Sequence, residues 1–131
     1  MSSTTVLVID DEEDMRVLAT FALELDGRAS VLTASSGAEG IELARVHRPA
    51  VILLDWMMPG MDGAATLLAL KSDETTAPIP VVVLSGAAHD RDADIFHRLG
   101  ALGVFAKPFD PMSLAARLRS LLATRTDERA S

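Results

Sequence analysis

Four short apolar runs limit what this chain can fold into: Val6-Leu7-Val8-Ile9, Val51-Ile52-Leu53-Leu54, Val81-Val82-Val83-Leu84 and Val104-Phe105-Ala106. Each is continuous rather than alternating. A strand built from such a run buries both faces, which is the condition inside a parallel sheet covered by helices.

Between the runs the period changes. Val17, Leu18, Phe21, Ala22 and Leu25 recur at spacings of three and four, and Asp26-Gly27 follows as a stop. This predicts a first helix carrying that apolar stripe. Ala29 to Ala34 reads as a further strand. Ser36-Gly37 opens a second helix with Ile41 and Ala44 inward, and Pro49 stops it. Met58-Pro59-Gly60-Met61-Asp62-Gly63 is loop chemistry, followed by a helix with Ala64, Leu67, Leu68 and Lys71. His89 to Leu99 reads as a helix with an acidic start. Pro111 suits the first position of a last helix, whose stripe is Leu114, Leu118, Leu121 and Leu122. Strand and helix thus alternate five times. With right-handed crossovers, this is an α/β doubly wound domain.

At 131 residues there is one domain, expected over 5–123, with polar tails at 1–4 and 124–131. A domain of this size buries about 70% of its unfolded surface. The 49% apolar content is enough for a core without staples, and the absence of cysteine removes disulfides and zinc-thiolate sites. The apolar runs are far short of the roughly twenty residues a membrane span needs. Met1 to Thr5 has no signal-peptide pattern, so a cytoplasmic location is expected. The net charge of −7, with scattered basic residues, argues against direct nucleic-acid binding.

The ends of the runs carry the chemistry. They stop at Asp10-Asp11, Asp55, Ser85 and Lys107. In sheets of this kind ligands bind outside the carboxyl ends of the strands. Two carboxylates about 4 Å apart repel by roughly 4 kcal/mol at an effective dielectric near 20. Lys107 offsets part of this, and a hard cation with oxygen ligands, Mg²⁺, suits the rest. A pair such as Asp10-Asp11 more often caps a helix. The addition of Asp55 and Lys107 at equivalent strand ends favours a site. Asp55 beside a cation can attack phosphorus in line, with Lys107 and the Ser85 hydroxyl holding phosphoryl oxygens.

Taken together, VLVIDDE, VILLDWMMPGMDG, VVVLSG and FAKPF resemble the receiver domain of two-component response regulators, in order and spacing, over roughly Thr5 to Leu122. The resemblance implies a flavodoxin-like five-stranded parallel sheet in the order 2-1-3-4-5. It implies Asp55 as phosphoacceptor, and Mg²⁺ held by Asp11, Asp55 and the Met57 carbonyl, with Asp10 acting through water. Ser85 is then the switch hydroxyl and Lys107 the phosphoryl-binding cation, with a cis bond to Pro108. The implied phosphodonor is a sensor histidine kinase or a histidine phosphotransfer protein. The output partner is unspecified, and neither membrane nor direct nucleic-acid binding is expected. Such a domain catalyses only its own phosphorylation and dephosphorylation and is not a turnover enzyme.

Val104 departs from the pattern, because many relatives carry an aromatic relay residue three positions before the Lys. Phe105 follows, but alternation sends it to the other face. The switch is therefore expected to work through Ser85–His89 and the helix after it. Met57 and Ala87, two beyond Asp55 and Ser85, cannot orient water by hydrogen bonding, so a polar residue at Ala87 is expected to change the dephosphorylation rate.

Other signals carry less. Asp90, Asp92 and Asp94 start like a calcium loop, but its Gly and Glu positions hold Ile95 and Ala101. His47, His89 and His97 share no ligand spacing. Two rival functions are a Mg²⁺-dependent phosphohydrolase with an Asp nucleophile, for which the first-strand pair is Asp10 and Glu12, and a phosphorylation-independent binding module. The sequence fits either a single-domain regulator or the receiver part of a longer protein.

Overall fold

The computed structural model describes residues 4–25, 27–58, 62–86 and 90–130, with backbone alone for 90–93 and 125–130. Five strands and five helices alternate: β1 (Thr4–Ile9), α1 (Glu13–Glu24), β2 (Ala29–Ala34), α2 (Gly37–His47), β3 (Val51–Asp55), α3 (Gly63–Ser72), β4 (Val81–Ser85), α4 (Asp90–Arg98), β5 (Gly103–Ala106) and α5 (Leu114–Ala130). All pairings are parallel, and the sheet order is β2-β1-β3-β4-β5. The doubly wound fold and its expected strand order are thus observed.

The continuous runs behave as expected. Every residue of β3 and β4 is buried. Leu7, Ile9, Ile52, Leu54, Val81 and Val83 form one core layer with Ile41 and Ala44 of α2, Leu67 and Leu70 of α3 and Phe96 of α4. Val6, Val8, Val51, Leu53, Val82 and Leu84 form the other, with α1, α5 and Phe105. Val104 packs with the first layer and Phe105 lies in the second, so the two do point to opposite faces. Edge strand β2 is only partly buried. Among the described residues no helix is long and apolar enough to cross a membrane.

Local chemistry sets the helix boundaries. Gly27, at φ +73°, ends the chain's exit from α1; its neighbour Asp26 lies outside the described residues. The Ser36 side chain accepts from the Glu39 N–H (3.2 Å) to start α2, and Asp62 accepts from the Ala65 N–H (2.9 Å) to start α3. Pro59, Gly60 and Met61 of the expected loop lie outside the described residues, as does His89 before α4.

Two expectations need correction. The stripe predicted for α1 is largely exposed, with Val17 at 62% and Phe21 at 60%. The buried face is Ala19, Ala22 and Leu23, joined by half-buried Met15. That set has equally good helical spacing, and its small alanines let the helix lie close on the sheet. In α3, Thr66, Leu67 and Leu70 are buried and Leu68 is exposed. At the C-terminus, Pro111 sits in a turn closed by Ser113 N–H to Asp110 O (3.1 Å), and α5 begins only at Leu114. The helix then continues to Ala130. No Gly or Pro interrupts residues 114–130, and Ala, Leu, Arg and Glu are good helix formers.

Candidate functional site

Asp10 follows β1 directly, and its N–H extends the ladder to Ala34 O (3.0 Å). Its carboxylate accepts from the Glu12 N–H (2.9 Å), which turns the chain from strand to helix. The Arg16 guanidinium donates to the Asp10 carbonyl (2.8 Å) and braces the same corner. The first turn of α1 has Glu12 at its cap position with no side-chain cap bond, so the Asp10-Asp11 pair is not the helix cap.

Asp55 is the last residue of β3, level with Leu84 of β4. Asp10 and Asp55 are 1% and 2% exposed, an extreme degree of burial for carboxylates. Lys107 follows β5, and its N–H donates to Ser85 O (3.0 Å), tying the ends of β4 and β5 together. Its ammonium lies 3.1 Å from Asp55 Oδ1 and 3.2 Å from Asp10 Oδ2. The Met57 N–H donates to Asp55 Oδ1 (3.3 Å). Ser85 is buried at the end of β4. The Lys107–Pro108 bond is cis.

One ammonium between two buried carboxylates explains the electrostatics. Burial pushes the Asp55 carboxyl up to about 6, and the nearby Asp10 charge adds to this, while the hydrogen bond and charge of Lys107 pull the other way. Burial alone would lower the Lys107 ammonium, but its hydrogen bond to Asp55 and the charge of Asp10 outweigh this and raise it. The cation has two buried anions beside it and the exposed Glu12 at 4.0 Å, whereas the buried anions share one ammonium.

Ligand oxygens of Asp10, Asp11, Glu12 and Asp55 can all lie within 4.8 Å of one another. An all-oxygen, acid-rich set of this kind fits a hard divalent cation. Asp11 and Glu12 are exposed and form the open side. The structure therefore brings together Asp10, Asp11, Asp55, Met57 and Lys107, with Ser85 at the adjoining strand end. Glu12 joins the group as well; its signal in the sequence is its place in the acidic run after β1. Ala87 lies outside the described residues, as do the side chains of Asp90 and Asp92. His47 and His97 are both exposed and apart from this site, with His97 Nδ1 3.1 Å from Ala101 O.

Comparison with known proteins gives a consistent result. The family model for the response regulator receiver domain matches residues 6–119. The chain is 34% identical over 122 residues to the phosphate regulon transcriptional regulatory protein PhoB of Pseudomonas aeruginosa, covering 93% of this chain and 53% of PhoB. It is 33% identical to protein PilH of the same organism, covering 90% of this chain and 97% of PilH. The chemotaxis response regulator CheY4 of Vibrio cholerae superposes with a TM-score of 0.84 at 28% identity, covering 92% and 99% of the two chains. The chain spans about half the length of several curated relatives it matches, PhoB among them.

Proposed function

The chain belongs to the response regulator receiver domain family, and on that premise we propose that it is a phosphoacceptor switched by Mg²⁺-dependent phosphorylation of Asp55. The observation that carries this reading is the shared Lys107 ammonium, 3.1 Å from Asp55 and 3.2 Å from Asp10 at the carboxyl edge of the sheet. Asp10, Asp11, Asp55 and the Met57 carbonyl would hold the cation, with Glu12 on its open side. Mg²⁺ supplies charge neutralisation at a site with more carboxylates than cations.

The chain's own groups do the rest. An Asp55 oxygen attacks phosphorus in line; the new O–P bond forms as the P–N bond to a donor histidine breaks, and the imidazole leaves with the bonding pair. Lys107 takes one phosphoryl oxygen as a point charge and the Ser85 hydroxyl donates to another. Hydrolysis of the acyl phosphate by water resets the site, with no other turnover. The donor is a phosphohistidine on a sensor kinase or phosphotransfer protein in the cytoplasm. The net charge of −7 favours a protein as this segment's own output partner.

The test is fluorescence of Trp56, the only tryptophan, with Mg²⁺ and then beryllofluoride. A saturable, Mg²⁺-dependent response that Asp55→Asn abolishes is expected, together with one phosphoryl adduct by mass spectrometry after incubation with acetyl phosphate. A wild-type chain that neither responds nor takes the adduct would overturn the reading.

A further inference from the structure

Trp56 is the residue after Asp55, and its surroundings give it a second role. Its N–H donates to Leu84 O (3.0 Å), and Leu84 directly precedes Ser85. Its carbonyl accepts from the Gly63 N–H (3.1 Å), closing the loop before α3. The two groups proposed to meet the phosphoryl group, Asp55 and Ser85, are therefore each one short step from the same indole.

The ring is confined on one side. A Cβ at Gly63 would lie 2.6 Å from Trp56 Cα and 2.9 Å from the ring, so the start of α3 presses directly against it. On another side the indole meets Phe96 of α4 edge to face, with centroids 4.7 Å apart and planes at 78°. Phe96 is buried in the core layer shared by β3, β4 and α4, against which Trp56 and Val104 also pack. Leu54, Val83 and Val104 stand side by side across β3, β4 and β5 on that face. Val104 is not aromatic; the ring that meets α4 beside the site is Trp56, the residue directly after β3.

We propose that the Trp56–Phe96 contact is the link that carries the state of the Asp55 site to α4. The inference rests on the reading of Asp55 as phosphoacceptor. Phosphorylation converts the Asp55 carboxylate into an acyl phosphate and moves the negative charge onto the phosphoryl oxygens, which draws Lys107 away from its present place between Asp55 and Asp10. The strand end adjusts, and Trp56, tethered through Leu84 and Gly63, passes the adjustment to Phe96. Edge-to-face rings are geometrically selective, so a small shift of one favours a shift of the other. Trp56 and Phe96 are positioning residues here, since neither touches the reacting atoms.

The test uses the full chain with Mg²⁺ and beryllofluoride, read by thermal shift for binding and by amide exchange over 94–99 for α4. In the wild type the mimic binds and changes exchange in α4. In Phe96→Leu, and separately in Trp56→Leu, the mimic still raises the melting temperature, but the exchange difference between free and bound forms falls by about fivefold or more, the low end of an ordinary coupling between sites. A purely structural role would raise α4 exchange equally in both forms and leave the difference intact, which would overturn the inference. Loss of mimic binding in both variants would also overturn it, because the pair would then build the site rather than report it. Failure of the wild type to bind the mimic would instead overturn the phosphoacceptor reading, and this inference with it.

Discussion

Lys107 reaches Asp55 at 3.1 Å although their strands, β5 and β3, do not pair; β4 lies between them. The ammonium spans the carboxyl edge of the sheet and ends between two buried acids that repel each other. The balance of charge at this edge therefore turns on one nitrogen.

Replacing that nitrogen should be costly. Lys107→Met leaves Asp10 and Asp55 buried without a counter-charge. A loss of about 3–5 kcal/mol is expected in metal-free buffer at neutral pH. Urea unfolding checks it, and Mg²⁺ should restore part of the loss. Unfolding midpoints equal to wild type would contradict the proposed balance.

The pH dependence has a defined sign. The Asp55 carboxyl titrates near 3.8 when unfolded and at about 6 when folded. Its contribution to stability is therefore fully present below the lower value and is lost as pH rises through the upper one. The gap corresponds to ~3 kcal/mol. In metal-free buffer, the stability of wild type relative to Asp55→Asn should fall across that window. Chemical denaturation at a series of pH values measures it, and a flat difference would refute it.

Asp11 is exposed, so its repulsion is weaker. Asp11→Asn should relieve about 1 kcal/mol in metal-free buffer, raising the melting temperature by a few degrees. The same change should reduce the stabilisation conferred by Mg²⁺. Calorimetry with and without the cation reads both effects, and an unchanged melting temperature with a full Mg²⁺ response would count against them.

Gly63 is required for close approach. In Gly63→Ala the new methyl would lie 2.6 Å from Trp56 Cα and 2.7 Å from its carbonyl oxygen, so backbone must move. The expected cost is about 1–3 kcal/mol, with a shifted Trp56 emission. Wild-type stability and emission would show that the loop accommodates a Cβ freely.

Much of this was legible in the chain. The four continuous runs became strands, three of them buried throughout or nearly so, because uninterrupted Val, Ile and Leu can satisfy both faces only inside a covered parallel sheet. The polar residues at their ends followed, since all carboxyl ends of a parallel sheet share an edge. The start of α2 at Ser36 was readable, because a cap depends on neighbours a few residues away; the Asp62 cap of α3 lay within a segment read only as loop. The face of α1 was not. Val17 and Phe21 are more apolar than Ala19 and Ala22, but the helix buries the set that lets it lie close to the sheet.

The sequence by itself determined the element order, the strand ends and the residues standing there, because period, run length and capping are local properties. Tertiary structure decided which α1 face is buried, that Glu12 joins the acidic group, that a single ammonium serves two carboxylates, and that Trp56 meets Phe96. Each of these depends on distances between segments far apart in the chain, set by the placement of β4 between β3 and β5 and by how closely each helix settles on the sheet.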